Sequence, residues 1–202
     1  HGMYWSSSND FTEAMYYRLA QAVSFSNSFI KNASELNGDE VSVFVAEARF
    51  LRAYAYYNLL DLYGNVPLTT EISTELPTQS NRTELFNFIE SELMEIESSL
   101  LASNEYGRVD NIAAHALLSR LYLNAEAWTG QDRYADCVTY SQNVINSGYT
   151  LNMNDANGNG TAYDELFMAD NDVNGAQNEF IFTLNFDGLQ SQTYGGTTFL
   201  VH

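Results

Sequence analysis

The sequence predicts a mainly α fold: helical hairpins of the tetratricopeptide type, with long loops and at most a short β element near the C-terminal end. Three observations carry this. Apolar residues recur at intervals of three and four through five stretches before Gly148. Residues that start or stop helices punctuate these stretches, such as Asn81 with Glu84 at a beginning and Gly64 at an end. Beyond them, Glu179–Phe186 alone alternates in the manner of a strand.

The first helix is expected from about Phe11 to about Ala33. Asp10 and Glu13 offer a capping box, and Met15, Leu19, Ala22, Ser26, Ile30 and Ala33 keep helical phase. Asn37-Gly38-Asp39 turns the chain into the helix that organises the rest. Phe44, Ala48, Leu51, Ala55, Leu59 and Leu62 form one apolar stripe on it; Val43, Phe50, Tyr54 and Tyr57 form another. A helix apolar on two faces is sandwiched between neighbours. Gly64 ends it, because glycine takes a left-handed C-cap without steric cost, and Pro67 forbids continuation. An extended link, Val66 to Gln79, holds both prolines.

Asn81 and Glu84 open the third helix, with Leu85, Ile89, Leu93, Ile96 and Leu100 inward and acids outward. Tyr106-Gly-Arg-Val109 is a loop. Asp110 caps a fourth helix striped by Ala114, Leu117, Leu118, Leu121, Ala125 and Trp128. After Thr129-Gly130 a fifth helix carries Tyr134, Val138, Ser141 and Ile145 and ends at Asn146-Ser-Gly148. Small residues at Ala114, Ala125 and Ala135 let the last two helices pair closely, and the central helix pairs likewise with Asn81–Leu100. No strict 34-residue period is present, so any repeats are degenerate. From Tyr149 the character changes. Asn152–Gly160 is a polar, Gly/Asn-rich loop, Asp164–Met168 a short helical turn, and Gln192–Val201 a loop. The chain reads as one domain, 1–202, with a helical scaffold at 11–148 and a loop-rich segment at 149–202.

Net charge is −18, from 26 acidic and 8 basic residues. That disfavours nucleic acid, whose binding requires neutralising phosphates, and direct docking on anionic lipid. It suits a neutral or cationic partner, or simply a very soluble surface. The single cysteine, Cys137, excludes an internal disulfide and sits at a helical position suited to packing. No apolar run is long enough to span a membrane.

The residues give no sign of catalysis. Two of the three histidines are terminal, and His115 lies between alanines inside a helix. No Ser/His/Asp order, phosphate loop or metal-ligand His/Cys spacing occurs. Asp170-Asn-Asp172-Val-Asn174-Gly175 places oxygen donors at every second residue before a glycine, as a Ca²⁺ loop requires. Asp170, Asp172 and Asn174 are therefore candidate calcium ligands. The pattern departs from the EF-hand at its twelfth place, which is Ile181. Calcium and a solvated Asx-rich turn both remain open, and no cofactor is required.

Two runs carry a resemblance: Glu47-Ala-Arg-Phe-Leu-Arg-Ala-Tyr54 and Asp61-Leu-Tyr-Gly-Asn-Val-Pro67. Together they resemble the signature of the SusD/RagB family, surface lipoproteins of Bacteroides-type bacteria that capture nutrients for an outer-membrane transporter. Tyr106-Gly-Arg-Val109 and Leu121-Tyr-Leu-Asn-Ala125 continue the match in order. Asp164–Asp172 and Tyr194-Gly-Gly-Thr-Thr-Phe-Leu-Val201 are similar to the starch-binding branch. There the tyrosine before Gly-Gly belongs to an aromatic arc cradling curved α-glucan, so Tyr194 is the candidate ligand-binding residue. Pyranose C–H groups pack on such rings.

The resemblance implies a non-catalytic, surface-exposed outer-membrane lipoprotein. It would capture starch or α-glucan oligosaccharides for a SusC-like TonB-dependent transporter. It also implies that the chain is an interior part of a longer protein, without the family's lipid-attached N-terminus and large C-terminal part. The alternatives are capture of another glycan or of peptides, or a tetratricopeptide-type interaction scaffold. The signature helix itself reads as scaffold, as do Trp5 and Trp128.

Overall fold

The structure is a computed structural model and describes residues 9–186 and 189. Two units emerge: one comprises residues up to 103 and 109–148, the other 104–108 and 149 onward. The first holds helices α1 (Asp10–Ala33), α2 (Asp39–Tyr63), α3 (Arg82–Ile96), α4 (Asn111–Leu123), α5 (Ala125–Thr129) and α6 (Tyr134–Ile145). The fold is mainly α, as the periodicity predicts.

The β element lies elsewhere than expected. Strands β1 (Val66–Pro67) and β2 (Gln79–Ser80) pair antiparallel between α2 and α3. Glu179–Phe186 forms no strand. Alternation selects which side chains would share a face, but a strand also needs a hydrogen-bonded neighbour. Among the described residues no strand pairs with that segment.

α2 is sandwiched between α1 and α3. Ala46, Ala48, Phe50, Ala53, Ala55, Tyr56, Tyr57, Leu59 and Leu60 are buried, so both faces contribute. Of the expected stripes, Phe44, Leu51 and Leu62 are exposed. Gly64 caps α2 with φ +74, and its N–H donates to the Leu60 carbonyl. The α1 cap differs from expectation. Asn9, not Asp10, sits at the N-cap, and its Oδ1 accepts from the N–H groups of Phe11 and Thr12. Met15 also turns outward, while Val23 and Ala33 pack inward.

Charge enters this core through the signature helix. The Glu92 carboxylate of α3, 6% exposed, bridges two α2 arginines. Arg49 donates to Oε1 from Nη2 at 2.6 Å and Nε at 3.2 Å. Arg52, 5% exposed, donates to Oε2 from Nη2 at 2.6 Å and Nε at 3.2 Å. Arg52 Nη1 also donates to Asn27 Oδ1 of α1 at 2.8 Å. One network thus clamps three helices. Here the signature's two arginines act as structural ties, consistent with a scaffold reading.

α3 opens with the expected Asn81/Glu84 capping box, and Leu85, Ile89, Leu93, Ile96 and Leu100 are all buried. Burying each such side chain stabilises by roughly 1.5–3 kcal/mol. Asp110 caps α4 by accepting from Ala113 N–H at 2.8 Å. Trp128 stacks edge-to-face on Tyr57 and is structural. α4 and α6 form a hairpin. α6 is rotated from its expected phase: Tyr134, Val138 and Ile145 are exposed, while Cys137, Tyr140, Ser141 and Val144 are half-buried. Ser119 of α4 bonds Ser141 at 2.6 Å, and Tyr140 packs on His115 and Tyr122. Hydroxyl pairing across the hairpin fixes this phase, which an apolar count misses. Ala114 and Ala125 are buried as expected; Ala135 is exposed.

Candidate functional site

The second unit is loop-built and organised by asparagine. Two single 3-10 turns, Asp164–Phe167 and Ala176–Asn178, are its regular elements among the described residues. The first is the expected helical turn. Glu165, 2% exposed, is the hub of this unit. Its Oε1 accepts from Asn157 N–H at 2.8 Å, and its Oε2 accepts from the Asn174 amide at 2.9 Å. Asn152 N–H donates to Glu179 Oε2 at 2.7 Å, drawing residues 152 and 179 together. Asn154 Nδ2 donates to the Asn174 carbonyl at 2.9 Å.

The Tyr106-Gly-Arg-Val109 loop owes its glycine to crowding. Gly107 has φ +82, and the Asn185 side-chain amide occupies the space a Cβ would need. Asn185 is held in turn by Thr183 Oγ1, which donates to its Oδ1 at 2.7 Å.

The predicted calcium residues fall on one turn in this unit. Asp170 and Asp172 are exposed, and the Asp170 carbonyl accepts from Val173 and Asn174 N–H. Asn174 turns inward instead. Its amide donates to Glu165, and its Oδ1 accepts from Ala176 N–H at 2.9 Å. Asn174 therefore serves as a brace, with its side chain committed at both ends. Among the described residues no three His, Cys, Asp or Glu side chains form a ready metal-ligand group. Tyr194 lies outside the described residues, as do Trp5, His1 and His202. His115 is buried in the scaffold, its Nε2 at 2.8 Å from Glu97 Oε1.

Sequence reasoning missed Glu165 as the hub. Its position in Asp164-Glu-Leu-Phe167 looks like one more surface acid. The Asn157 and Asn159 side-chain amides donate to Asp164 Oδ2, at 3.1 and 2.5 Å, and hold its carboxyl below the ordinary range. Exposed rings stand close by: Tyr163 and Phe167 meet edge-to-face with centroids 5.3 Å apart. No helix among the described residues is long and apolar enough to cross a membrane.

Residues 3–123 match the SusD-like family model described as "Starch-binding associating with outer membrane". The chain is 40% identical, over 98% of its length, to the "Starch-binding protein SusD" of Bacteroides thetaiotaomicron, and spans 35% of that relative. Among solved structures, a SusD-like protein from Bacteroides fragilis is 26% identical with a TM-score of 0.73. That match covers 90% of this chain and 35% of the other. A "Laminarin binding SusD-like protein" is 25% identical with a TM-score of 0.68, covering 80% of this chain and 36% of its own. The chain thus spans about a third of the length of these relatives. The family match covers more than half of it and includes the clamped signature helix, and the chain belongs to the SusD-like family.

Proposed function

We propose that the protein captures α-glucan oligosaccharides of the starch type without acting on them chemically. The observation that carries this is 40% identity over 98% of the chain to a protein named for starch binding. Capture occurs at the surface of the outer membrane, on a lipid-anchored protein that hands its cargo to a SusC-like TonB-dependent transporter. The family description supports the membrane association. Tyr194 supplies a ring face for the sugar; this assignment rests on the Tyr194-Gly-Gly-Thr-Thr run. Capture needs no cofactor. The dense amide and carboxylate surface of the second unit supplies hydroxyl partners of the kind glycans require.

Affinity electrophoresis tests the cargo. Migration is expected to be retarded in gels cast with amylopectin and restored by Tyr194→Ala in a protein that keeps its circular dichroism. The named laminarin binder among the neighbours makes a β-glucan the second reading. Retardation by laminarin and not by amylopectin establishes that reading and removes the first. Co-purification with a TonB-dependent transporter from solubilised outer membranes tests the partner; its absence at stoichiometric expression contradicts the hand-off.

A further inference from the structure

An asparagine followed by glycine is prone to lose its side-chain amide, because a residue without a Cβ leaves its backbone nitrogen open to the preceding side chain. The chain holds four such pairs: Asn37-Gly38, Asn157-Gly158, Asn159-Gly160 and Asn174-Gly175. Ring closure requires the asparagine Cγ to swing onto the glycine nitrogen in a near-attack geometry. Both the side chain and the glycine N–H must therefore be at liberty.

Three of the pairs lie in the second unit and are tied down. Asn157 Nδ2 donates to Asp164 Oδ2, while its Oδ1 accepts from Asn159 N–H at 3.0 Å. Asn159 Nδ2 donates to the same carboxylate, and its Oδ1 accepts from Thr161 N–H at 3.1 Å. Gly160 N–H, the nucleophile of that pair, donates to Asp155 Oδ2 at 2.8 Å. Asn174 is held by Glu165 and by Ala176 N–H, and Gly175 N–H donates to Gln177 Oε1 at 2.7 Å. The pair on the turn between α1 and α2 differs. Asn37 and Gly38 are exposed, and among the described residues neither the Asn37 side chain nor the Gly38 N–H has a hydrogen-bond partner. Asn37 borders a cavity of about 340 Å³ lined by Ala33 of α1, Val45 of α2 and Ile96 of α3, so its amide has room to turn.

We propose that Asn37 is the site at which this chain deamidates, and that the hydrogen bonds of the second unit protect Asn157, Asn159 and Asn174. Gly38 N gives up its proton to solvent and attacks Asn37 Cγ. The new N–C bond forms as the Cγ–Nδ2 bond breaks, and the departing nitrogen takes a proton and leaves as ammonia. The cyclic imide then takes up water, the one co-reactant. Opening at Cγ gives aspartate. Opening at the main-chain carbonyl gives isoaspartate, in which the backbone runs through the side-chain methylene. Either product adds one negative charge to the −18 of the chain. The charge arises just ahead of α2, where Gly38 offers no side-chain cap and a carboxylate meets the positive end of the helix dipole. Arg52 ties α2 to Asn27 of α1 independently of this turn, so the modified chain stays folded.

The test ages the full chain, folded, in mildly alkaline buffer and maps its peptides by mass spectrometry, with an isoaspartyl methyltransferase reporting isoaspartate. Conversion at Asn37 is expected to be about tenfold or more faster than at Asn157, Asn159 or Asn174, since each of those must first break two or more hydrogen bonds. In urea, where those bonds are gone, the four rates should converge. Asn37→Gln, whose longer arm closes the ring poorly, should remove the acidic variant that ion exchange resolves, with circular dichroism unchanged. Equal rates at the four pairs in the folded protein, or the fastest conversion in the second unit, overturn the proposal. So does an Asn37 that stays intact in the folded chain while the urea-unfolded chain converts there. A lead for Asn37 that persists undiminished in urea places the preference in the sequence and overturns the protective role of the second unit. None of these readouts depends on glycan binding.

Discussion

Glu92→Ala tests the clamp that joins α1, α2 and α3. The carboxylate receives four N–H bonds, two from each of Arg49 and Arg52. After truncation Arg49 still reaches Glu95 at 2.6 Å, and its side chain is 23% exposed, so water and Glu95 compensate it. Arg52 is in a different position. Its side chain is 6% exposed, and it keeps Asn27 Oδ1, the Thr70 carbonyl and the face of the Phe88 ring, none of them charged. An uncompensated buried charge costs about 3–5 kcal/mol. For a chain of this size each kcal/mol lowers Tm by about 2–4 °C, so Glu92→Ala is expected to lose about 6–20 °C. Arg49→Ala leaves the Glu92–Arg52 pair intact and should cost about 1–2 kcal/mol. Urea unfolding followed by helical circular dichroism gives both values. A loss below about 1 kcal/mol for Glu92→Ala, or equal losses for the two variants, would refute the reasoning.

Two other perturbations have definite signs. Gly64→Ala places a Cβ 2.7 Å from Arg82 Nε at φ +74, so the variant should lose about 1–3 kcal/mol. A change within about 0.5 kcal/mol in the same assay contradicts the cap geometry. Burial, and then the hydrogen bond to Glu90 Oε1, push the Tyr122 phenol well above its ordinary range. Its folded pKa exceeds the unfolded value, near 10. Its contribution is therefore complete below about pH 10. It is lost above that, as the unfolded chain releases a proton the native state keeps. Urea midpoints from about pH 9 to about pH 11 should fall, and fall less steeply in Tyr122→Phe. Equal slopes would remove Tyr122 from the account.

What was legible in the sequence was local. The Asn81/Glu84 box, the Asp110 cap and the Gly64 stop depend on residues within one turn, and each appears where the spacing places it. The buried stripe of α3 follows from period alone. What was missed depends on distant partners. Arg52 and Glu92 are separated by 40 positions, and no local pattern reveals that both are inside. α6 turned its hydroxyl and aromatic face to α4 because Ser119 and Ser141 pair, leaving Val138 and Ile145 outside. Glu179–Phe186 had strand alternation without a strand to join. In the loop unit, Asp170, Asp172 and Asn174 share a turn, but the inward commitment of Asn174 to Glu165 needs the fold to be seen. Tyr194 was named by resemblance and lies outside the described residues, so its role stands on solution measurements.

The most direct measurement is calorimetric titration of the protein with a long α-1,4-glucan oligosaccharide, a β-linked glucan and a mixed peptide pool. Starch capture predicts saturable heat with the α-glucan alone, reduced at least tenfold by Tyr194→Ala, which corresponds to about 1.4 kcal/mol of binding free energy. Heat with the β-glucan or the peptides and none with the α-glucan would contradict the cargo assignment while leaving the SusD-like fold in place.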